Sequence, residues 1–222
     1  NPVEALRGAN RSTRDRSALP QKGLIICQAA LSLVLLVAAG LLTKTLRNLQ
    51  QQDFGLQTAT RYVFHLDPAG AGYTLENIRA LNDELERRFT ALPGVKNVGL
   101  ALYSTLEGNN WGESIYVEGR PAPGPEADTY SSWDRVSPHF FETVGEPLIR
   151  GRGVTDQDTA TSRAVAVVNQ TFAKKFFPHQ DAIGQHFGTF DQKYAASFEI
   201  VGIVADAKYR NVREAAYPRY FR

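Results

Sequence analysis

Between Lys22 and Lys44 the chain runs for 21 residues, GLIICQAALSLVLLVAAGLLT, without one charged side chain. As an α-helix this stretch measures about 30 Å at 1.5 Å per residue, the thickness of a bilayer core. Its leucines fall on every face rather than along one stripe, which argues against the buried helix of a soluble protein. A secretory signal has a shorter apolar region, about 7–15 residues, followed by a small-residue cleavage site. Cleavage after Ala38 or Ala39 is that alternative, but here the apolar character continues into LLVAAGLLT and then into polar helix formers. Residues 23–43 therefore read as a transmembrane helix.

The flanks orient it. Arg7, Arg11, Arg14, Arg16 and Lys22 precede the span against only Glu4 and Asp15. The positive-inside rule places residues 1–22 in the cytoplasm as a basic segment and everything after Thr43 outside. Lys44 and Arg47 sit just past the apolar core, where long cationic side chains reach back to the interface. Gln28 and Ser32 share a face with several small residues, a pattern that suits packing against another helix in lipid. After the span, KTLRNLQQQ contains only good helix formers, so residues 44–58 are expected to project as a stalk helix.

Residues 59–222 carry the pattern of a mixed globular domain, giving an α+β fold class overall. RYVFHL (61–66) alternates as a strand does. Thr74 is expected to cap a helix whose apolar positions Ile78, Leu81, Leu85, Phe89 and Leu92 keep one face, stopped by Pro93-Gly94. Val98, Leu100 and Leu102 alternate in a second strand. The order recurs downstream as AVAVV (164–168), a helix from Asn169 to Phe177 stopped by Pro178, and FEIVGIV (198–204). Two β-α-β units predict a split ferredoxin-like lobe. Between them, residues 104–161 read as an inserted, mainly-β lobe, with strands in SIYVEG and YSSWDRV and a short helix near SPHFFETVG.

Composition excludes several functions. A net charge of +2, without a basic run interleaved with aromatics, gives no footprint for nucleic acid. The single cysteine, Cys27, lies inside the apolar stretch, so no thiol pair or cysteine zinc site is available outside it. No methionine occurs, and the opening NPVEALRG reads as the continuation of a longer polypeptide. There is no Walker A loop, and G-x-S-x-G is missing. The glycines of RGRG (150–153) read as turn residues. His65, His139, His179 and His186 fall in separate elements without an i, i+4 pair. Asp156 and Asp158 in TDQD suit a solvated turn better than a carboxylate pair. The triplets at Asn10 and Asn169 match the glycosylation pattern, but the first is expected in the cytoplasm and the second at a helix start. Phe172, Phe176 and Phe177 at helical spacing read as core and rim. No catalytic residue, metal ligand or cofactor-binding residue is assigned.

The wording of several stretches carries a further signal. QAALSLVLLVAAGLLTKTLRNLQQQDFG resembles the first transmembrane helix and stalk of MacB/FtsX-like permeases of ATP-binding-cassette exporters, notably the duplicated permeases of acidobacteria. LPGVKNVGLA, VSPHFFETVGEPLIRGRGVTDQD, AVVNQTFAKKFFPHQDAIGQHF and FEIVGIVADAKY resemble, in order, the signatures of the MacB-type periplasmic core domain. NPVEALRG is similar to the cytoplasmic end of a preceding permease half. Two departures stand out: Glu146, where an apolar residue is common, and Ala182, where proline is common. The resemblance implies a permease, not an enzyme, in the bacterial inner membrane, with 44–222 in the periplasm. ATP would be hydrolysed by a partner ABC ATPase subunit or domain, and the stalk would transmit the resulting movement. Other implied partners are a second permease half or homodimer copy and a periplasmic adaptor. The alternatives are a single-span sensor with a ligand-binding outer domain and, more weakly, an anchored hydrolase using Asp156, Asp158 or His139.

Overall fold

The computed structural model describes residues 18–74, 76–108, 111–159, 161–211 and 213–222. The basic residues Arg7, Arg11, Arg14 and Arg16 and the triplet at Asn10 lie outside the described residues. The chain divides into two compact units, Asn1–Asp53 and Phe54–Arg222.

The first unit contains helix α1 (Ala18–Gln50). Its stretch Pro20–Gln50 is long and apolar enough to cross a membrane, and none of it is buried against protein. Leu24, Leu33 and Leu36, on different faces, are all exposed. Surfaces of this kind are stable where hydrocarbon replaces water. Thr43 and Thr45 donate their hydroxyls to the carbonyls of Ala39 and Leu41, both at 2.9 Å, so neither leaves a polar group unsatisfied. At about 50 Å, α1 exceeds the roughly 30 Å bilayer core. It stops at Gln50, however, rather than continuing as helix to residue 58. The amides of Gln51 and Gln52 turn back to Arg47 and Leu49.

The second unit contains α2 (Ile78–Thr90), β1 (Trp111–Val117), β2 (Tyr130–Asp134), α3 (Phe140–Val144), β3 (Leu148–Gly151), β4 (Val165–Asn169), α4 (Gln170–Phe176), β5 (His186–Thr189), β6 (Phe198–Val204) and β7 (Arg219–Phe221). The strands form one sheet in the order β3-β6-β4-β7-β2-β1-β5, and β5 also pairs with β6, so the sheet curls back on itself. The downstream β-α-β unit is present: β4 and β6 run parallel, with α4 between them in sequence. AVAVV is apolar at every position because both faces of β4 are covered. Ala166 and Val168 join one core cluster, with Ile115, Trp133, Phe172, Phe187, Ile200 and Tyr220. Val167 joins a second, with Phe140, Phe141, Val204, Tyr209 and Phe221.

The other half of the split ferredoxin-like reading is not formed among the described residues. Residues 61–66 belong to no ladder, and Tyr62 is 84% exposed. Around 98–102 only one bridge forms, Ala101 with Val136. An alternating pattern makes a strand possible, but a strand requires a neighbour to take its N–H and C=O groups, and sequence periodicity does not supply one. Helix α2 forms where expected, yet it buries no residue fully, and Asn77 rather than Thr74 stands at its N-cap. The 104–161 segment is not a separate β lobe either. β1 pairs antiparallel with β5, and β2 pairs parallel with β7, so both belong to the sheet that contains β4 and β6.

Candidate functional site

The histidines and the TDQD turn are the residues of the sequence with the most chemistry to offer. The structure scatters them. His65 bonds Glu107 at 2.9 Å on the surface, and His186 Nδ1 lies 2.9 Å from Glu118. His139 stands exposed with a left-handed backbone at the start of α3, and His179 is exposed in a turn. Asp156 is exposed. Asp158 closes its own loop: it takes two bonds from the Arg152 guanidinium, at 2.6 and 2.8 Å, and one each from the Thr155 amide and hydroxyl. Those donors hold its carboxyl below the usual range. Among the described residues no group of three His, Cys, Asp or Glu side chains is placed to hold a metal ion. Phe172, Phe176 and Phe177 are buried, and Phe172 packs 4.6 Å from Phe176 and 5.0 Å from Phe187, centroid to centroid. An open groove of about 440 Å³ runs past Arg150, Lys174, Phe177 and Asp181. Arg150 and Asp181 pair across it at 2.6 Å, which cancels one cation.

The most elaborately built polar site lies where the chain enters the second unit. Gly55 has φ +70°, and a Cβ there would stand 2.5 Å from the Asp206 carbonyl oxygen, so only glycine permits this approach. The Phe54 carbonyl accepts from the Lys208 amide at 2.8 Å, and the Gln57 amide donates to the Val144 carbonyl at 2.9 Å. Arg61 donates through Nε to the Thr143 carbonyl and through Nη2 to Gln57 at 2.7 Å. The entering segment is thus clamped between the end of α3 and the loop 205–210 that follows β6.

That loop is itself fastened at several points. Asp206 accepts from the Thr171 amide and hydroxyl, at 2.9 and 2.8 Å, and so ties the loop to the first turn of α4. The Tyr209 amide donates to Glu214 at 2.9 Å, and its carbonyl accepts from Leu106 at 2.6 Å. The Tyr209 hydroxyl donates to Oε2 of Glu146, while the guanidinium of Arg219 lies 4.2 Å above the Tyr209 ring. Tyr209, Glu146 and Arg219 are all buried.

Burial dominates the electrostatics here. It pushes the Glu146 carboxyl up to about 8; the Tyr209 bond and the charge of Arg219 oppose this, and Asp206 adds to it. Burial also raises the Tyr209 phenol far above its ordinary value and lowers Arg219. Nearby Asp134, fully buried in β2, is raised to about 6 by desolvation despite bonds from the amides of Arg135 and Tyr103. Burial thus favours the protonated, uncharged form of Glu146, and the cluster is suited to holding segments together. In sequence, Glu146 stands out only as a departure from the resembled permease family, where an apolar residue is common. Nothing in sequence marks Tyr209 or Arg219, because the partners in the Glu146–Tyr209 bond lie 63 positions apart and no local pattern links them.

One long apolar helix is followed in the chain by a curled mixed sheet whose most elaborate polar site fastens segments of the second unit to one another. The chain belongs to the MacB-like periplasmic core domain family, whose model matches residues 22–217. Among solved structures it is similar to the periplasmic region of MacB from Actinobacillus actinomycetemcomitans, at 16% identity and TM-score 0.42, over 67% of this chain and 60% of that one. It is also similar to the extracellular domain of the noncanonical ABC-type transporter YknZ from Gram-positive bacteria, at 15% identity and TM-score 0.39, over 67% and 61%. A third is a domain of a putative permease protein from Porphyromonas gingivalis, at 16% identity and TM-score 0.38, over 59% and 51%. The chain spans about three-fifths of the length of the first two. No curated protein matches its sequence.

Proposed function

We propose that this chain is part of the permease of an ABC-type export system, in which a partner ATPase supplies the energy and the domain outside the membrane moves substrate. The observation that carries this reading is the family match over residues 22–217, which takes in the apolar helix and nearly the whole of the second unit. In this reading residues 1–22 are cytoplasmic, 23–43 cross the bacterial inner membrane, and 44–222 are periplasmic. Helix α1 carries nucleotide-driven movement outward to Gln50, and the clamp on Phe54–Gln57 receives it. A continuous helix suits that role better than a flexible tether, because bending it requires breaking backbone hydrogen bonds. A second permease half or a second copy completes the membrane part, and a periplasmic adaptor is a further partner.

The test is to isolate the full-length protein from membranes with its co-purifying ATPase, reconstitute both in proteoliposomes, and compare wild type with Leu46→Pro. Proline in a helix interior costs about 3 kcal/mol. The variant is expected to retain basal ATP hydrolysis and lose coupling to the outer domain. Unchanged coupling would refute transmission through α1. Absence of any associated ATPase would refute the permease reading and favour the single-span sensor.

A further inference from the structure

Glu146 follows the turn at the end of α3, where its amide donates to the Phe141 carbonyl at 2.9 Å. Its side chain is 3% exposed and meets the loop 205–210 from the other side of a largely apolar cluster that includes Phe141, Val204 and Phe221. One oxygen, Oε2, accepts from the Tyr209 hydroxyl; the other, Oε1, is buried without a hydrogen-bond partner. The groups that face it are Tyr209 and Asp206 from the loop and Arg219 from β7. Behind them, Asp134 from β2 and Glu214 also act on Arg219, dividing the influence of the one cation among several acids. Among the described residues no ion pair joins Glu146 to a cation.

We propose that Glu146 is a proton-operated latch: while its carboxyl carries a proton, the loop 205–210 and the entry segment 54–57 stay docked, and loss of that proton releases them. The proton belongs on Oε1, where it turns an unpaired anionic oxygen into a hydroxyl. Once the carboxyl ionises, its one hydrogen bond is that from the Tyr209 phenol, and the charge of Arg219 is already divided among several acids, so the buried negative charge is under-compensated. The response that costs least is to admit water along the loop, which has no strand or helix of its own to break. Because the Lys208 amide donates to the Phe54 carbonyl from this same loop, opening it removes one side of the clamp and leaves the entry segment held only at the end of α3. For its purpose the latch rests on the transmission role proposed above: medium alkaline to the domain would disengage the receiver from the helix. Its existence is testable whether or not transport is found.

The experiment is amide hydrogen exchange on the full chain in detergent micelles between pH 6.5 and 8, for wild type and Glu146→Gln, with rates corrected for the intrinsic base catalysis of exchange. Asp134, raised only to about 6, titrates mostly below this window, and the Glu146→Gln comparison separates Glu146 from any group that titrates within it. In wild type the protection of peptides covering 54–57 and 205–210 is expected to fall by up to about tenfold per pH unit. Glu146→Gln, which keeps the shape and the acceptor for Tyr209, is expected to show no such fall. Protection independent of pH in wild type overturns the latch by itself, even if the variant does not fold. An equal fall in a well-folded Glu146→Gln overturns it too, because the titrating group is then elsewhere.

Discussion

Asn169→Ala is the substitution whose cost follows most directly from the structure. Asn169 is 4% exposed and stands at the junction of β4 and α4. Its Oδ1 accepts from the amides of Phe172 and Arg219, both at 2.9 Å, and its Nδ2 donates to the Tyr217 carbonyl at 2.8 Å. One side chain thus caps a helix and holds the approach to β7 against the centre of the sheet. Losing the cap costs about 1 kcal/mol. Each of the two remaining backbone groups, left unpaired away from water, adds about 1–3 kcal/mol. The total of roughly 5 kcal/mol corresponds to a fall in melting temperature of about 10–20 °C for a unit of this size. The assay is thermal unfolding of the full chain in micelles, followed by fluorescence of buried Trp133 against exposed Trp111. Asn169→Ser restores only the cap and should recover about 1 kcal/mol. An alanine variant within 1 kcal/mol of wild type would refute the reasoning; full recovery by serine would show that the ties to Arg219 and Tyr217 contribute nothing.

Two further substitutions test separate parts of the unit. Asp158→Asn is expected to cost about 1–2 kcal/mol at pH 7, because the charged acceptor of Arg152 and Thr155 is lost. Its folded-state pKa is lowered, so the stabilisation is present above the unfolded value near 4 and disappears as pH falls through the folded value. Urea titrations of wild type and variant should therefore converge once the pH falls below the usual carboxylate range, and a constant gap would contradict the assignment. Gly55→Ala places a Cβ 2.5 Å from the Asp206 carbonyl oxygen at φ +70° and should undock the entry segment without melting the sheet. Trypsin cleavage at Lys208 is the readout: about tenfold faster cutting is expected, and an unchanged rate would show that the clamp tolerates a side chain.

Much of this protein is determined by local sequence. An uncharged run of this length makes a helix wherever it is placed in lipid, because every backbone group finds its partner within four residues. Gln170–Phe176 is bounded by Asn169 and Pro178, a cap and a stop that act over a single turn. FEIVGIV forms β6 over the residues its pattern marks. Tertiary structure decided what those elements do. The alternation of 61–66 matches a strand as well as β6 does, yet 61–66 stays unpaired, because pairing depends on a neighbouring backbone and not on the segment itself. The strands of 104–161 entered the main sheet because β5 and β7, distant in sequence, offered them edges. Glu146 carries no sign of burial in its own residue type, and its carboxyl is pushed toward the protonated form only where Tyr209 and Arg219 pack beside it. Desolvation is a property of the assembled interior, and no stretch of sequence contains it.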